Sequence, residues 1–164
     1  MFNELVREIA ATAASHVIRT VSWIIPAVQT LHILGFSAVV AAVMLVNLRS
    51  FGVAMRGEPR AAVANRFLPI VWYGVPVLLV TGVVLVVGEP HRELLDPIFQ
   101  LKMALLVVAL GLTALLQRPL RADPLYWDHS TARRAGAVTL SAVSLVVWIA
   151  IVFAGRWIAY WNVS

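Results

Sequence analysis

Four apolar segments, each long enough to cross a bilayer, limit what this chain can fold into. They run from about residue 22 to 46, 67 to 87, 97 to 116 and 136 to 160. A helix needs roughly 20 apolar residues to cross the hydrocarbon core of a membrane. Because lipid offers no partner to backbone N–H and C=O groups, continuous apolar runs of this length form helices. The sequence predicts an all-α integral membrane protein, an up-down bundle of four transmembrane helices.

The composition excludes the main alternatives. The 164 residues are 61% hydrophobic and 13% charged, with no cysteine, whereas soluble domains are about 45–50% apolar and about 25% charged. A soluble chain this short could not bury so much apolar surface in one core. Without cysteine, disulfides, thiolate metal sites and thiol catalysis are also excluded.

Residues 1–20 have a different pattern from the bundle, which we assign to residues 21–164. Acidic Glu4 and Glu8 interrupt what would otherwise resemble a signal peptide. Apolar residues recur here at helical spacing, which predicts a short amphipathic helix lying in the membrane interface; packing on a protein partner is the alternative. These residues are Phe2, Leu5, Val6, Ile9, Ala13 and Val17.

Arginines predict the orientation of the bundle. Loops 47–66 and 117–135 carry eight of them and are expected in the cytoplasm, with both termini and the second loop on the outer side of the membrane. The same rule accounts for the net charge of +5 without a nucleic-acid partner. Trp23, Trp157, Tyr160 and Trp161 are expected to form an aromatic belt at the outer interface. The loop arginines are Arg49, Arg56, Arg60, Arg66, Arg118, Arg121, Arg133 and Arg134.

Three ionisable residues, His32, Lys102 and Arg156, fall within the predicted spans, where such groups mark function. From the start of its span His32 is about 15 Å deep and Lys102 about 7 Å deep. Gln29 and Gly35 share the helical face of His32. The fourth span has a face of its own, and small or hydrogen-bonding residues favour contact between helices, so we expect the first and fourth helices to meet there. That face consists of Ser141, Ser144, Trp148 and Gly155.

Two classes of role for His32 remain open. Its imidazole could hold the bundle together by a hydrogen bond to Ser144, Thr81 or a carbonyl. Alternatively it could be an axial ligand of b-type haem, or part of a quinone or small-molecule site. In the haem hypothesis Gly35 leaves room for the porphyrin and Lys102 and Arg156 pair with its propionates. The second ligand would come from His91, Met103 or the His32 of a second protomer, or the second axial position would be open.

Other chemistry is less well supported by the sequence. No Asp or Glu lies within a span, so a proton relay is not expected. His91 has Glu89, Glu93 and Asp96 nearby, which resembles a weak metal site, but solvated loop charge is the favoured interpretation. His16 and His129 are expected at wet surfaces.

Four segments carry a resemblance to a known group: "WIIPAVQTLHILGFSAVV", "NLRSFGV", "FQLKMALLVVAL" and "SLVVWIAIVFAGRWIAY". The chain resembles a widespread bacterial family of four-helix inner-membrane proteins of unknown function. The resemblance implies that His32, Lys102 and the pair Gly155 and Arg156 are family positions, whereas Asn47 stands where the family has an acidic residue. The layout is also distantly similar to copper-resistance D and cytochrome b561-type proteins, some of which carry b haem.

The sequence thus favours a non-catalytic inner-membrane protein, an accessory or structural subunit that packs with other membrane proteins or with itself. A haem protein using His32, and a quinone- or small-molecule-binding protein, are the alternatives. The candidate binding residues are His32, Gln29, Lys102, Arg156, Ser144 and Trp148.

Overall fold

The computed structural model describes residues 2–90, 94 and 96–161. The elements within these residues are helical, and none is a strand. They are α1 (Phe2–Ala10), α2 (Ala13–Thr20), α3 (Ile24–Ser50), α4 (Arg60–Gly88), α5 (Pro97–Ala122), a 3-10 helix (Tyr126–Asp128) and α6 (Thr131–Trp161).

Helices α3 to α6 are each long and apolar enough to cross a membrane, which confirms the predicted four-helix membrane bundle. Each helix continues beyond its predicted span at the end that carries arginines. Helix α4 begins at Arg60 rather than at residue 67, and α5 ends at Ala122 rather than at residue 116. Hydrophobicity indicates only the part of a helix that lies in lipid, while the backbone hydrogen bonds continue into water.

The bundle consists of two antiparallel hairpins. Helix α3 packs along α4, and α5 packs along α6, while contacts between α3 and α6 join the two hairpins. Helices α4 and α5 touch much less. The fully buried core lies mainly toward the α3–α4 loop, and the bundle is therefore packed most tightly in that half. Core residues there include Val39, Val43, Val46, Ala64, Leu68, Leu116 and Leu120.

A charged and aromatic cluster joins the helix ends at the tightly packed side. Arg60, at the start of α4, forms an ion pair with Asp128 of the 3-10 helix, and Arg134 of α6 approaches the same carboxylate at 3.2 Å. Arg60 also donates to the carbonyl of Ser50, at the end of α3, at 3.5 Å. The indole N–H of Trp127 donates to the carbonyl of Leu116 on α5 at 3.0 Å. This cluster therefore connects the ends of all four membrane helices.

The N-terminal segment forms two helices where the sequence predicted one. The break falls before Thr12, whose hydroxyl accepts from the N–H of Ser15 at 3.2 Å and so caps α2. Helix α2 packs against the far end of α4, where Arg19 Nε donates to the carbonyl of Gly88 at 3.0 Å. Val6 and Ser15 are fully buried. This segment therefore packs on the bundle itself along one face.

The predicted aromatic belt is described only in part. Trp23 precedes α3 and is 69% exposed, as expected of an interfacial anchor. The side chains of Trp157, Tyr160 and Trp161 lie outside the described part of the chain, so the belt remains a prediction.

Helices α3 and α4 approach most closely where Gly74 faces Val39. A Cβ on Gly74 would lie 2.6 Å from Val39 Cγ2, which is closer than atoms can pack. We therefore expect Gly74→Ala to lower the free energy of unfolding by about 1–3 kcal/mol, the usual cost of overpacking a core. Thermal unfolding in detergent, followed by helicity, measures this.

The matched control is Gly111→Ala on α5, where an added Cβ meets nothing within 4 Å. Alanine is favoured over glycine in a helix interior, so this variant should be at least as stable as the wild type. Equal stability of the two variants would show that the α3–α4 contact is not tight.

Candidate functional site

His32 lies between α3 and α4 and is bonded to Thr81. Its Nδ1 is 2.7 Å from the Thr81 hydroxyl, and that hydroxyl is itself 2.8 Å from the carbonyl of Val77. The carbonyl can only accept, so when the Thr81 hydroxyl gives its one proton to it, the imidazole is the donor to Thr81. In that arrangement the proton of a neutral His32 is on Nδ1 and Nε2 carries a lone pair.

The side chains around the ring leave less room than the sequence indicated. A Cβ on Gly82 would lie 3.6 Å from His32 Cε1, so the ring lies over this glycine of α4. Gly35 was expected to leave a gap for a porphyrin. Leu78 of α4 occupies the space above it, since a Cβ on Gly35 would lie 3.4 Å from Leu78 Cδ2. The gap next to His32 is therefore filled by an apolar side chain.

Lys102 lies on α5 beside α6. It is half-buried, and a Cβ on Gly155 of α6 would lie 3.9 Å from its Nζ. Lys102 and Gly155 therefore lie together, in the same loosely packed half of the bundle as His32. Arg156, which follows Gly155, is exposed.

Ser144 and Trp148 are buried where α6 meets α3. Asn47 Nδ2 donates to Ser144 Oγ at 3.3 Å, and the rings of Phe36 and Trp148 are 6.4 Å apart. The indole N–H of Trp148 and the hydroxyl of Ser141 are buried with no hydrogen-bond partner among the described residues. Ser144 and Trp148 of the predicted face thus contact α3, whereas Gly155 of the same face lies beside Lys102 of α5.

The sequence predicted that the face of α3 with His32 contacts α6, and this prediction was wrong. His32 and Gly35 contact Thr81 and Leu78 of α4, and α6 is met instead by Phe36 and Asn47. The short loop between α3 and α4 places these helices side by side, and a helical face does not identify its partner. Gln29, expected beside His32, is exposed.

The remaining predicted ligands are dispersed. His16 is exposed on α2, and Met103 is half-buried on α5. Asp96 caps α5 by accepting from the N–H of Ile98 at 2.7 Å, which engages one of its carboxylate oxygens. His91 and Glu93 lie outside the described residues. Elsewhere in the described chain, no three His, Asp or Glu side chains are grouped to hold a metal ion.

His129 and Asp123 form a surface pair in the third loop. Their Nε2 and Oδ2 atoms are 2.5 Å apart. This hydrogen bond, helped by one from the N–H of Leu125, lowers the pKa of Asp123 below its usual range. His129 therefore contributes to the loop surface, as expected.

The sequence did not predict two polar contacts between the membrane helices. One is the Asn47–Ser144 bond, and the other joins Trp72 Nε1 to Gln117 Oε1 at 2.6 Å, between α4 and α5. Asn47 and Gln117 stand at the ends of the apolar runs, where they read as loop residues. Only 1% of Asn47 and 6% of Gln117 is exposed, and this burial is the property that the sequence did not reveal.

Four apolar helices whose polar side chains bond across helix contacts define a polytopic α-helical membrane protein. The chain belongs to the Family of unknown function (DUF6644), whose model matches residues 10–161. No curated protein and no solved structure matches it. The expected likeness to copper-resistance D and cytochrome b561-type proteins is not shown by these comparisons.

The Thr81 contact can be tested by removing one hydroxyl. We expect Thr81→Val, which keeps the side-chain shape, to lower the free energy of unfolding by about 0.6–1.7 kcal/mol, as for other hydrogen bonds between membrane helices. Nitrogen NMR of His32 should also lose its preference for the Nδ1-protonated form. Unfolding in detergent micelles gives the stability.

Thr30→Val is the matched control, because Thr30 bonds to the carbonyl of Pro26 in its own helix. If both valine variants lose the same stability, the His32–Thr81 bond does not hold α3 to α4.

Proposed function

We propose that this protein is a non-catalytic accessory or structural subunit of a membrane complex. The observation that supports this is that three pairs of polar side chains are hydrogen-bonded and that each pair joins two different helices. His32 and Thr81 join α3 to α4, while Trp72 and Gln117 join α4 to α5. The third pair, Asn47 and Ser144, joins α3 to α6. Such bonds stabilise helix association in lipid.

A groove on the outside of the α3–α4 hairpin favours one mode of assembly. It has a volume of about 430 Å³ and lies near mid-membrane, between Gly35 and Ala38 of α3 and Gly74 and Tyr73 of α4. Small residues let a neighbouring membrane helix approach closely. Because the depth excludes water and the walls are apolar, we propose that a transmembrane helix of a partner subunit occupies this groove.

Photo-crosslinking in native membranes tests this assembly. A photoreactive phenylalanine analogue at position 73, where the tyrosine is 79% exposed, should give one discrete protein adduct. Position 107 on α5 is the control, since Val107 is 72% exposed but lies away from the groove. Ala38→Leu should abolish the position-73 adduct by filling the groove.

Only lipid adducts at position 73, or equal protein adducts at positions 73 and 107, would contradict the proposal. A protein adduct that persists in the Ala38→Leu variant would place the partner elsewhere.

The hydrogen bond between His32 and Thr81 favours a second function. The Nδ1 of His32 is engaged with Thr81, and a hydrogen bond at one ring nitrogen is what orients an imidazole that binds metal through the other. The free Nε2 lone pair could thus ligate the iron of a b-type haem or accept a hydrogen bond from a quinol hydroxyl. Lys102 supplies positive charge in the same half of the bundle. Leu78 next to Gly35 would have to move for a porphyrin to enter.

The absorbance spectrum of the purified protein decides the haem question. A Soret band that is lost in His32→Ala but kept in His16→Ala would establish haem ligation by His32 and replace the structural role. We expect instead a colourless, fully helical protein, because the bond to Thr81 accounts for a polar side chain at position 32 without a cofactor.

We also propose that the protein lies in a bacterial inner membrane with both termini in the periplasm. The support is the collection of arginines in loops 47–66 and 117–135, since such loops are retained in the cytoplasm.

A further inference from the structure

Six of the eight arginines in the two basic loops have partners within the protein. Arg49 donates to the carbonyl of Glu58 and Arg66 pairs with the carboxylate of Glu58, while Arg56 donates to the carbonyl of Gly52. The other three lie near the 3-10 helix: Arg60 and Arg134 on Asp128, and Arg133 over the ring of Tyr126. These side chains serve the fold of the loops.

Arg118 and Arg121 are different. Both are exposed, and neither makes a hydrogen bond, ion pair or ring contact with any described residue. They stand three residues apart in the last turns of α5, so about 4.5 Å separates them along the axis and they share one side of the helix. Two guanidinium groups are thus placed side by side without a carboxylate.

The packing of α5 determines where this pair points. Leu116, Gln117 and Leu120 are buried against the bundle, and Gln117 is held there by Trp72. The helical position of Arg118 is 100° from that of Gln117, on the side that faces away from the bundle. Arg118 therefore projects toward the surrounding membrane.

The depth of the pair matches the head-group layer. The apolar run of α5 ends at Leu116, so Arg118 and Arg121 come immediately after the hydrocarbon boundary. Leu125, in the loop that follows, is 56% exposed, which suits a side chain that enters the interface. Cations of the last helical turn also interact with the helix dipole, but this interaction does not require two of them on the membrane side.

We propose that Arg118 and Arg121 together bind the phosphate of an anionic phospholipid. Two guanidinium groups can donate several charge-assisted hydrogen bonds to one phosphodiester, and basic residues at this depth attract anionic lipid. Leu116 and Leu120 hold the helix in place while the acyl chains lie along the exposed face of α5, where Leu115 is 53% exposed. The site is independent of the groove beside Tyr73 and of His32.

Lipid retention by the full-length protein tests the site. The protein is purified from vesicles of phosphatidylcholine with phosphatidylglycerol, washed in detergent, and the retained lipid is counted by mass spectrometry. Arg118→Gln should lower the retained phosphatidylglycerol about fivefold and the double variant with Arg121→Gln about twenty-fivefold, since each basic residue contributes a similar free energy. Retained phosphatidylcholine should not change.

Arg66→Gln is the matched control, because Arg66 is an exposed arginine of a basic loop that pairs with Glu58, and it should keep the wild-type retention. Helicity in phosphatidylcholine vesicles shows that each variant is folded. Equal loss in the control, or full retention in the double variant, would overturn the proposal. So would thermal stabilisation by inorganic phosphate in phosphatidylcholine vesicles that requires both arginines, because the site would then bind a free anion.

Discussion

A polar side chain in a membrane bundle is stabilised by a partner within the protein, and this constraint determines three of the contacts between the helices. Water is absent from the hydrocarbon core, and each unsatisfied polar group there costs several kcal/mol. The bond from His32 to Thr81 meets this constraint near mid-membrane. The bonds from Asn47 to Ser144 and from Trp72 to Gln117 meet it in the buried interior, at the ends of the apolar runs. Each also connects two helices that apolar contacts alone would hold weakly, since lipid is as apolar as the side chains. Polar side chains that are unfavourable in lipid therefore connect the helices to one another.

The two halves of the bundle differ in how tightly they are packed. Toward the α3–α4 loop, buried apolar side chains fill the interior and Asp128 joins Arg60 to Arg134. Toward the other end, α3 and α5 carry His32 and Lys102, both only half-buried. The bundle is therefore more tightly packed at one end and more accessible at the other. A ligand or a rearrangement of side chains would cost least at the accessible end.

The sequence predicted the four helices because apolar length and backbone satisfaction in lipid leave no other structure. Helical period also identified faces correctly, as Ser144 and Trp148 show on α6. It could not identify which neighbour each face meets, and His32 was wrongly assigned to the α6 side. Spacing along one helix says nothing about rotation relative to another, which depends on contacts such as Gly74 with Val39. The break at Thr12 was missed because an amphipathic pattern continues across it.

The His32–Thr81 bond explains why a polar group stands on α3, but not why that group is an imidazole. A serine at position 32 could also bond to the Thr81 hydroxyl, and it would leave no second polar atom to satisfy. Histidine uses Nδ1 for the contact and places a second polar atom, Nε2, at membrane depth. Retaining that atom is unfavourable in a purely structural role. This nitrogen lies in the half of the bundle where Lys102 is next to Gly155, so the choice of residue is an argument for the second function proposed above.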